Sequence, residues 1–468
     1  MDWAADETEA SDLGDERLNR RYTIVLDQLS SNPSASIPTA LGGWSEINAA
    51  YRFFKNPNVT VEDLLEPHRE RTIERMREQK VVLLVQDTTE LDYTKKSKKI
   101  KGLGALNRGN RYGAHLHPTV AFTPDKLCLG VTSARMLIRD AGTLGSGHTK
   151  IRTQKAIEEK ESYRWLQGYQ EACDIAKLTP ETKIVMVADR EADIYDIFEE
   201  ASGVEEGKAE WLIRSNHNRA LVSNESRKKG NSRDYLRETV ESKKPLGNVE
   251  FELPARAGRA ARTVCLTVYA SSETLRPPSR KVGRKLTAQK VSAIIAREEK
   301  PPKDQDPVEW VLISSMPVRS FDRAAELIRW YAARWGIEVF FRVLKTGCQI
   351  EELQFRDFEH LAPCIAAYMI ITWRILFLTF LGRECPDLSC EVVFDEAEWK
   401  AAYIVSTRTL PPKKPPHLSE IINMIAKFGG YLARKNDPPP GPRVIWIGLQ
   451  RTRDFALGQI ALGYAQSS

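Results

Sequence analysis

The chain reads as an α/β protein, a mixed sheet with helices on its faces. It carries an inserted β-rich subdomain and is flanked by helical N- and C-terminal domains. Three observations predict this. Residues 81–85 (VVLLV) and 183–188 (KIVMVA) are short, continuous apolar runs, as central strands covered on both faces require. Charged amphipathic stretches with helical spacing separate the β-like runs. The order strand, hairpin, helix, strand, helix is that of an α/β core.

Taken in order, residues 1 to about 62 are helical, with helical spacing over 13–29 and 49–54 and a stop at Asn56-Pro57. A helix rich in Glu and Arg follows over 61–79. The strand at 81–85 ends in Gln86-Asp87-Thr88-Thr89. Beyond a basic loop, strands over 117–123 and 127–138 are joined by Thr123-Pro124-Asp125-Lys126, a turn sequence with Pro at a favourable position. A helix is expected over 153–176. The second apolar strand is followed at once by Asp189-Arg190-Glu191-Ala192-Asp193, opening a helix through Glu200, and 211–215 form a further strand. From about 216 to 307, β-like runs such as 248–253 and 262–270 alternate with polar loops. Residues 310–314 (WVLIS) return to buried-strand character, and 321–345 form one long helix. The last region is broken by Pro411, Pro412, Pro415, Pro416 and the prolines at 438–440. The domains drawn from this are 1–62, 63–382 with the insertion at about 216–307, and 383–468.

Composition narrows the class. At about 150 residues per domain, 468 residues suggest three domains. With 42% hydrophobic and 28% charged residues, wholesale disorder and a membrane protein are both disfavoured. The acidic start, Met-Asp-Trp-Ala-Ala-Asp-Glu, lacks a secretory pattern. Seven Cys, an odd count with no CxxC pair, argue against a disulfide framework and a zinc ribbon. A cytoplasmic protein with reduced thiols is expected. Residues 364–381 are long and apolar enough to suggest a membrane span. Arg374 in their middle, and an amphipathic lead-in, favour a buried core helix.

Charge is unevenly spread. Residues 93–124 contain seven Lys/Arg and no acid, and 214–290 contain 18 Lys/Arg against seven acids, 18 − 7 = +11, more than the net +6 of the whole chain. Concentrated positive fields of this kind attract polyanions and make binding salt-dependent; a pair of solvated loops is the alternative. The first sixty residues carry nine acids against five bases, which excludes a simple basic arm.

Asp87 and Asp189 occupy equivalent places after their strands, where open α/β sheets bind ligands. Converging carboxylates repel unless a cation sits between them, and hard oxygen donors suit Mg²⁺ or Mn²⁺. Either Asp alone would be an ordinary turn former or helix cap. In 330–347 (WYAARWGIEVFFRVLKTG), Tyr331, Arg334, Glu338, Arg342 and Lys345 fall within about 80° of arc on an ideal helix. Ile337, Phe340, Phe341 and Leu344 lie on the remaining surface and can face a core. A solvated, salt-bridged face is the alternative, but a metal-binding carboxylate flanked by phosphate-gripping groups accounts for all five.

At these residues the chain resembles the bacterial cut-and-paste transposases of the DDE superfamily, in the insertion-sequence-four group that includes the transposon-five transposase. The signature Tyr-x2-Arg-x3-Glu-x6-Lys is met by Tyr331, Arg334, Glu338 and Lys345. DREAD stands at 189–193, DTT at 87–89, YRFFKNPNV at 51–59, IRSNH at 213–217 and AKFGGYLARK at 426–435. The likeness spans nearly the whole chain in order. It implies a ribonuclease-H-like core interrupted by a β-rich insertion, and a metal-binding triad of Asp87, Asp189 and Glu338 holding two divalent ions. It also implies that Tyr331, Arg334 and Lys345 hold the DNA phosphate, that Arg214 contacts DNA, and that a flipped base stacks on Trp310, for which a core tryptophan is the alternative. Arg17 and Arg21, at i and i+4, match a helix that recognises transposon ends, and the region from about 383 resembles a dimerisation segment. The implied function is metal-dependent cleavage and strand transfer on double-stranded DNA. Terminal inverted repeats and target DNA are the partners, a homodimer synapses the ends, and a hairpin intermediate is formed in a bacterial, nucleoid-associated setting. A catalytically silent DNA-binding descendant and a structure-selective nuclease are the competing readings. His115 and His117, at i and i+2, are read as strand histidines rather than metal ligands, and Asp193 as a supporting neighbour of Asp189.

Overall fold

A computed structural model describes residues 3–107, 110–139, 156–222, 234–253, 262–279, 285–303, 305–435 and 437–467. In chain order, helices α1 (Trp3–Thr8), α2 (Glu16–Ser31), α3 (Ile37–Leu41), α4 (Trp44–Phe54) and α5 (Val61–Arg77) come first. Strands β1 (Val81–Gln86), β2 (Thr89–Asp92), β3 (Gly104–Ala105), β4 (Tyr112–Phe122) and β5 (Cys128–Leu137) follow. Then come α6 (Tyr163–Leu178), β6 (Lys183–Ala188), α7 (Tyr195–Gly203), β7 (Glu210–Arg214), α8 (Leu236–Glu241), β8 (Gly247–Leu253), β9 (Arg262–Leu275), β10 (Gln289–Arg297) and β11 (Glu309–Ser314). Helices α9 (Phe321–Ala333), α10 (Trp335–Arg342), α11 (Phe358–Glu384), α12 (Glu396–Thr407), α13 (Leu418–Phe428) and α14 (Pro442–Ser467) complete the chain. It divides into two compact bodies, one from 1–76, 88–144 and 336–468, the other from 77–87 and 145–335.

In the first body, α2 starts at Glu16 rather than near Leu13. Gly14 adopts φ 74° and the Asp15 side chain accepts the Arg17 N–H, which together set a capped start. Its buried side chains Tyr22, Val25, Leu26 and Leu29 follow helical spacing. The hairpin forms at the expected turn, with Lys126 at φ 74° donating its N–H to the Thr123 carbonyl at 2.9 Å. Strand β4 is longer than expected because its first half is paired by β2, Thr89 opposite Leu116. It is buried along both faces, which hides the period-2 pattern.

Helix α11 is the core of this body: it is long and apolar enough to cross a membrane, yet 89% of its most apolar window is buried in protein. Arg374 is accommodated in its middle, its guanidinium 4.3 Å from the Trp3 ring centroid and 3.9 Å from Glu398. A second cluster joins the end of α11 to α12, α13 and α14 through Leu381, Trp399, Ile421 and Ile445.

In the second body, β1 and β6 pair in parallel, β6 and β7 likewise, and β7 pairs antiparallel with β11. The insertion does not stand apart: β10, β9 and β8 extend the same sheet beyond β11 as antiparallel neighbours. Helix α6 begins at Tyr163, later than expected, after a single 3-10 turn at Ile157–Glu159; the expected start at 153–155 lies outside the described residues. Parts of the basic stretches, namely Arg108 and 227–229, 233, 256, 259, 280, 281 and 284, also lie outside them.

Two helix expectations are corrected. After Asp189 the chain makes a 3-10 turn, Arg190–Ala192, and becomes extended at Ile194 before α7 begins at Tyr195, because Asp193 adopts ψ 61° and leaves the helical region. The single helix over 321–345 is α9, α10 and a π turn at Val343–Gly347 closed by Cys348 N–H to the Val343 carbonyl at 2.9 Å. At the first break, the Arg334 N–H bonds back to Tyr331 at 3.1 Å, an i−3 contact. Past that break, Gly336 lies so close to Phe122 that a Cβ would sit 2.8 Å from its ring. The five polar side chains therefore do not share one continuous helix, although Ile337, Phe340, Phe341 and Leu344 are buried as expected.

Candidate active site

The site in the second body begins with strand register. Val85 lies opposite Val187, so two residues on, Asp87 and Asp189 leave the C-terminal ends of adjacent parallel strands at the same level. Neighbouring strands stand about 4.8 Å apart. The side chains are held differently. Asp87 pairs with Arg334, whose Nη1 lies 2.9 Å from Oδ2. Asp189 accepts the Glu191 N–H at 2.9 Å, so it caps the following turn while keeping its second oxygen for other work. Cap and functional group are compatible roles here.

Tyr331 is buried behind these carboxylates. Burial pushes its phenol pKa up, the guanidinium groups of Arg334 and Arg214 oppose that shift, and the Asp189 carboxylate adds to it. Arg214, at the end of β7, lies near the phenol, which favours its charge, and donates Nη2 to the Glu309 carbonyl at 3.0 Å. Burial pulls its pKa down. Two guanidinium groups thus converge on one phenol beside two carboxylates, an arrangement suited to a phosphate oxygen as a further ligand. Trp310 packs behind Tyr331 with ring centroids 5.4 Å apart, and it is stacked on Phe251 at 5.0 Å and 16°. With 5% exposure, the indole serves in this structure as a core tryptophan.

Asp193 does more than the sequence suggested. One oxygen takes Arg219 Nε at 3.0 Å; the other accepts the Asn216 N–H at 2.7 Å, the His217 N–H at 3.0 Å and the Ser215 hydroxyl at 3.1 Å. It ties the loop after β7 to the turn after β6. The segment IRSNHNR at 213–219 held the signal, a run of donors next to a buried strand, but nothing in it named the acceptor.

The remaining predicted residues lie in the first body. Glu338 and Arg342 are exposed on α10. Lys345 sits in the π turn, donating to the Glu90 carbonyl and lying 3.4 Å from Glu351. Arg17 projects from α2 and pairs with Asp15 at 2.7 Å, while Arg21 bridges to Glu46 of α4 at 2.5 Å. His117 is a buried strand histidine whose Nδ1 is 2.9 Å from the Thr88 hydroxyl. Within neither body do the described residues group three His, Cys, Asp or Glu side chains as a metal site. The second body offers two carboxylates, hard oxygen donors at one sheet edge, and these fit a divalent cation.

Comparison with known proteins then settles the class. Residues 1–59 match the family described as Transposase DNA-binding, and 167–371 match Transposase DDE domain. The chain belongs to the DDE transposases, enzymes that cleave DNA and transfer its strands. It is a transposase of the Tn5-like kind, since 370–467 match Transposase Tn5 dimerisation domain. DNA binding, dimer formation and dependence on a divalent metal come with these domains. The DDE match includes Asp189 and Glu338 and begins downstream of Asp87, whose place rests on strand register. Among solved structures, the piggyBac transposase synaptic complex with hairpin DNA aligns over 93% of this chain and 71% of its own, at 9% identity and a TM-score of 0.33, too slight a likeness to transfer any residue's role.

Proposed function

We propose that this transposase binds the terminal inverted repeats of its own element, cuts the DNA there through a hairpin intermediate, and joins the freed ends to target DNA. Asp87, Asp189 and Glu338 would hold two Mg²⁺ (or Mn²⁺) ions. When bound, such ions activate water or a 3′-hydroxyl and neutralise charge on the leaving oxygen. The observation that carries this reading is the equal register of Asp87 and Asp189 at the ends of paired parallel strands.

The chain's own groups divide the remaining work. Arg334, Arg214 and Tyr331 would grip the scissile phosphate from the second body, with Arg342 and Lys345 contributing from the first. The pairing of Arg334 with Asp87 keeps that guanidinium in the site before DNA arrives. Trp310 would stack a flipped base once Phe251 gives up its face. Arg17 and Arg21 would read the transposon end from a recognition domain at 1–62. The catalytic domain would span 63–382, and 383–468 would join two copies in the synaptic complex, in the bacterial cytoplasm at the nucleoid.

The test uses DNA carrying the inverted repeats that bracket the gene. With Mg²⁺ the chain should cut at the repeat ends and join them to a plasmid, and Asp189→Ala should bind the same DNA without cutting. Cleavage retained in Asp189→Ala would overturn the assignment. Cutting that ignores the repeats and yields no joined product would make the protein a structure-selective nuclease.

A further inference from the structure

Outside this site, the first body contains a cleft of about 770 Å³ lined by Tyr51, Lys55, Lys96, Lys99, Lys101 and Arg356. Its rim is fixed by backbone bonds. The Lys101 N–H donates to the Arg356 carbonyl at 2.8 Å, and the Phe358 N–H donates to the Lys101 carbonyl at 2.9 Å. Lys96 is committed elsewhere, to the Glu351 carbonyl at 2.7 Å and Glu352 at 2.8 Å. Lys55, Lys99, Lys101 and Arg356 are exposed, and among the described residues no carboxylate pairs with any of them. Asp357 is the acid on the wall, and it lies 3.7 Å from His360. On the inner wall, the Tyr51 ring meets Phe355 edge-on at 5.4 Å.

Four like charges on one rigid rim repel each other, and a polyanion laid along them relieves that repulsion. Lysine contacts to phosphates fix position without reading sequence, which comes from bidentate contacts to base edges. Gln354 is the single amide side chain on the lining. A transposon end has to be read, whereas the DNA that receives the element has to be held whatever its sequence. We propose that this cleft seats the sugar-phosphate backbone of target DNA, independently of its sequence. The inference rests on the reading of the chain as a transposase that joins ends to a target.

The test compares the full chain with the triple variant Lys99→Gln, Lys101→Gln, Arg356→Gln. Three quantities are read: excision at the inverted repeats, joining of pre-cut ends to a plasmid, and the salt dependence of binding to a short duplex without repeats. Excision should be retained while joining falls by about tenfold or more, and the slope of log K against log salt should fall by about 2.7, three phosphate contacts at 0.9 each. The double variant Lys99→Arg, Lys101→Arg should keep wild-type joining. Equal loss of excision and joining would place the transposon end in the cleft, and unchanged joining with an unchanged slope would empty it of any role; either overturns the proposal. If the wild-type chain neither excises nor joins, the transposase reading fails first, and the salt slope still decides whether the cleft binds DNA.

Discussion

Two buried arginines, one in each body, show how differently the same side chain can be used. Arg334 and Arg374 are each 8% exposed. Arg374 sits in the middle of α11 over the Trp3 ring, with Glu398 at a loose 3.9 Å, and burial pulls its pKa down. Its neighbours solvate a charge that the helix carries through an apolar core. Arg334 stands at the end of α9 in direct contact with Asp87 at 2.9 Å, beside Tyr331. Its partner is one of two carboxylates at a sheet edge, where a metal ion or a phosphate can enter and rearrange the pairing. Burial alone separates neither role; what lies within hydrogen-bond reach does.

The comparison breaks if the two residues respond alike to substitution. Arg334→Ala should lower the rate of DNA cleavage by about 10² to 10³, as loss of a charge-stabilising donor does, with a retained cooperative unfolding transition above the assay temperature as the check on folding. Arg374→Met should leave the cleavage rate alone. Glu398 keeps Arg453 at 3.9 Å when Arg374 is lost, so the effect on stability should stay below the about 3 to 5 kcal/mol of a stranded buried charge. Equal losses of activity would show that Arg374 acts on the site or that Arg334 is only structural.

A buried pair lies between these cases. Asp193 is fully enclosed and holds Arg219 together with two backbone N–H groups. Asp193→Ala strands a buried guanidinium and should cost about 3 to 5 kcal/mol, read as a lowered denaturation midpoint. Asp193→Asn keeps an acceptor for the loop but loses the charge. If Asn restores the midpoint while the KM for DNA rises, the residue positions the loop after β7 beyond merely stabilising it.

Much of this was legible in the sequence, and the exceptions have physical causes. Both central strands are legible because full burial makes them continuous apolar runs, and Asp87 and Asp189 stand out because they end those runs. The core role of α11 followed from one arginine in an apolar stretch. The break at Arg334 was not visible, because residues 330–347 keep helical periodicity across it, and the close approach of Gly336 to Phe122 is a tertiary fact. Strand β10 does not stand out among the polar loops around it, and its identity is set by pairing with β9 and β11. The hub at Asp193 depends on Arg219, 26 residues downstream, and no local pattern could join them.

The smallest effect expected is a pH dependence that arises in the first body. In the first body, Val131 donates its N–H to His68 Nε2 at 3.0 Å, so that nitrogen is an acceptor and the ring is neutral, with Nδ1 donating to Glu7. Burial holds the His68 pKa below its usual 6.5. The Glu7 carboxyl is lowered: burial opposes the shift, but the hydrogen bond from His68 and the Arg75 guanidinium, whose Nη1 lies 2.6 Å away, together outweigh it. Both folded-state values are depressed, so both groups add stability that is complete above their unfolded values and is lost on acidification. His68 gives up its share as the pH falls below about 6.5, when the unfolded chain gains a proton the folded one refuses. Glu7 follows below about 4.5. Thermal unfolding followed between pH 8 and 4 should show the melting temperature of wild type falling from about pH 6.5, with His68→Gln flattening that first decline. A slope that His68→Gln does not alter would move the acid-sensitive group elsewhere.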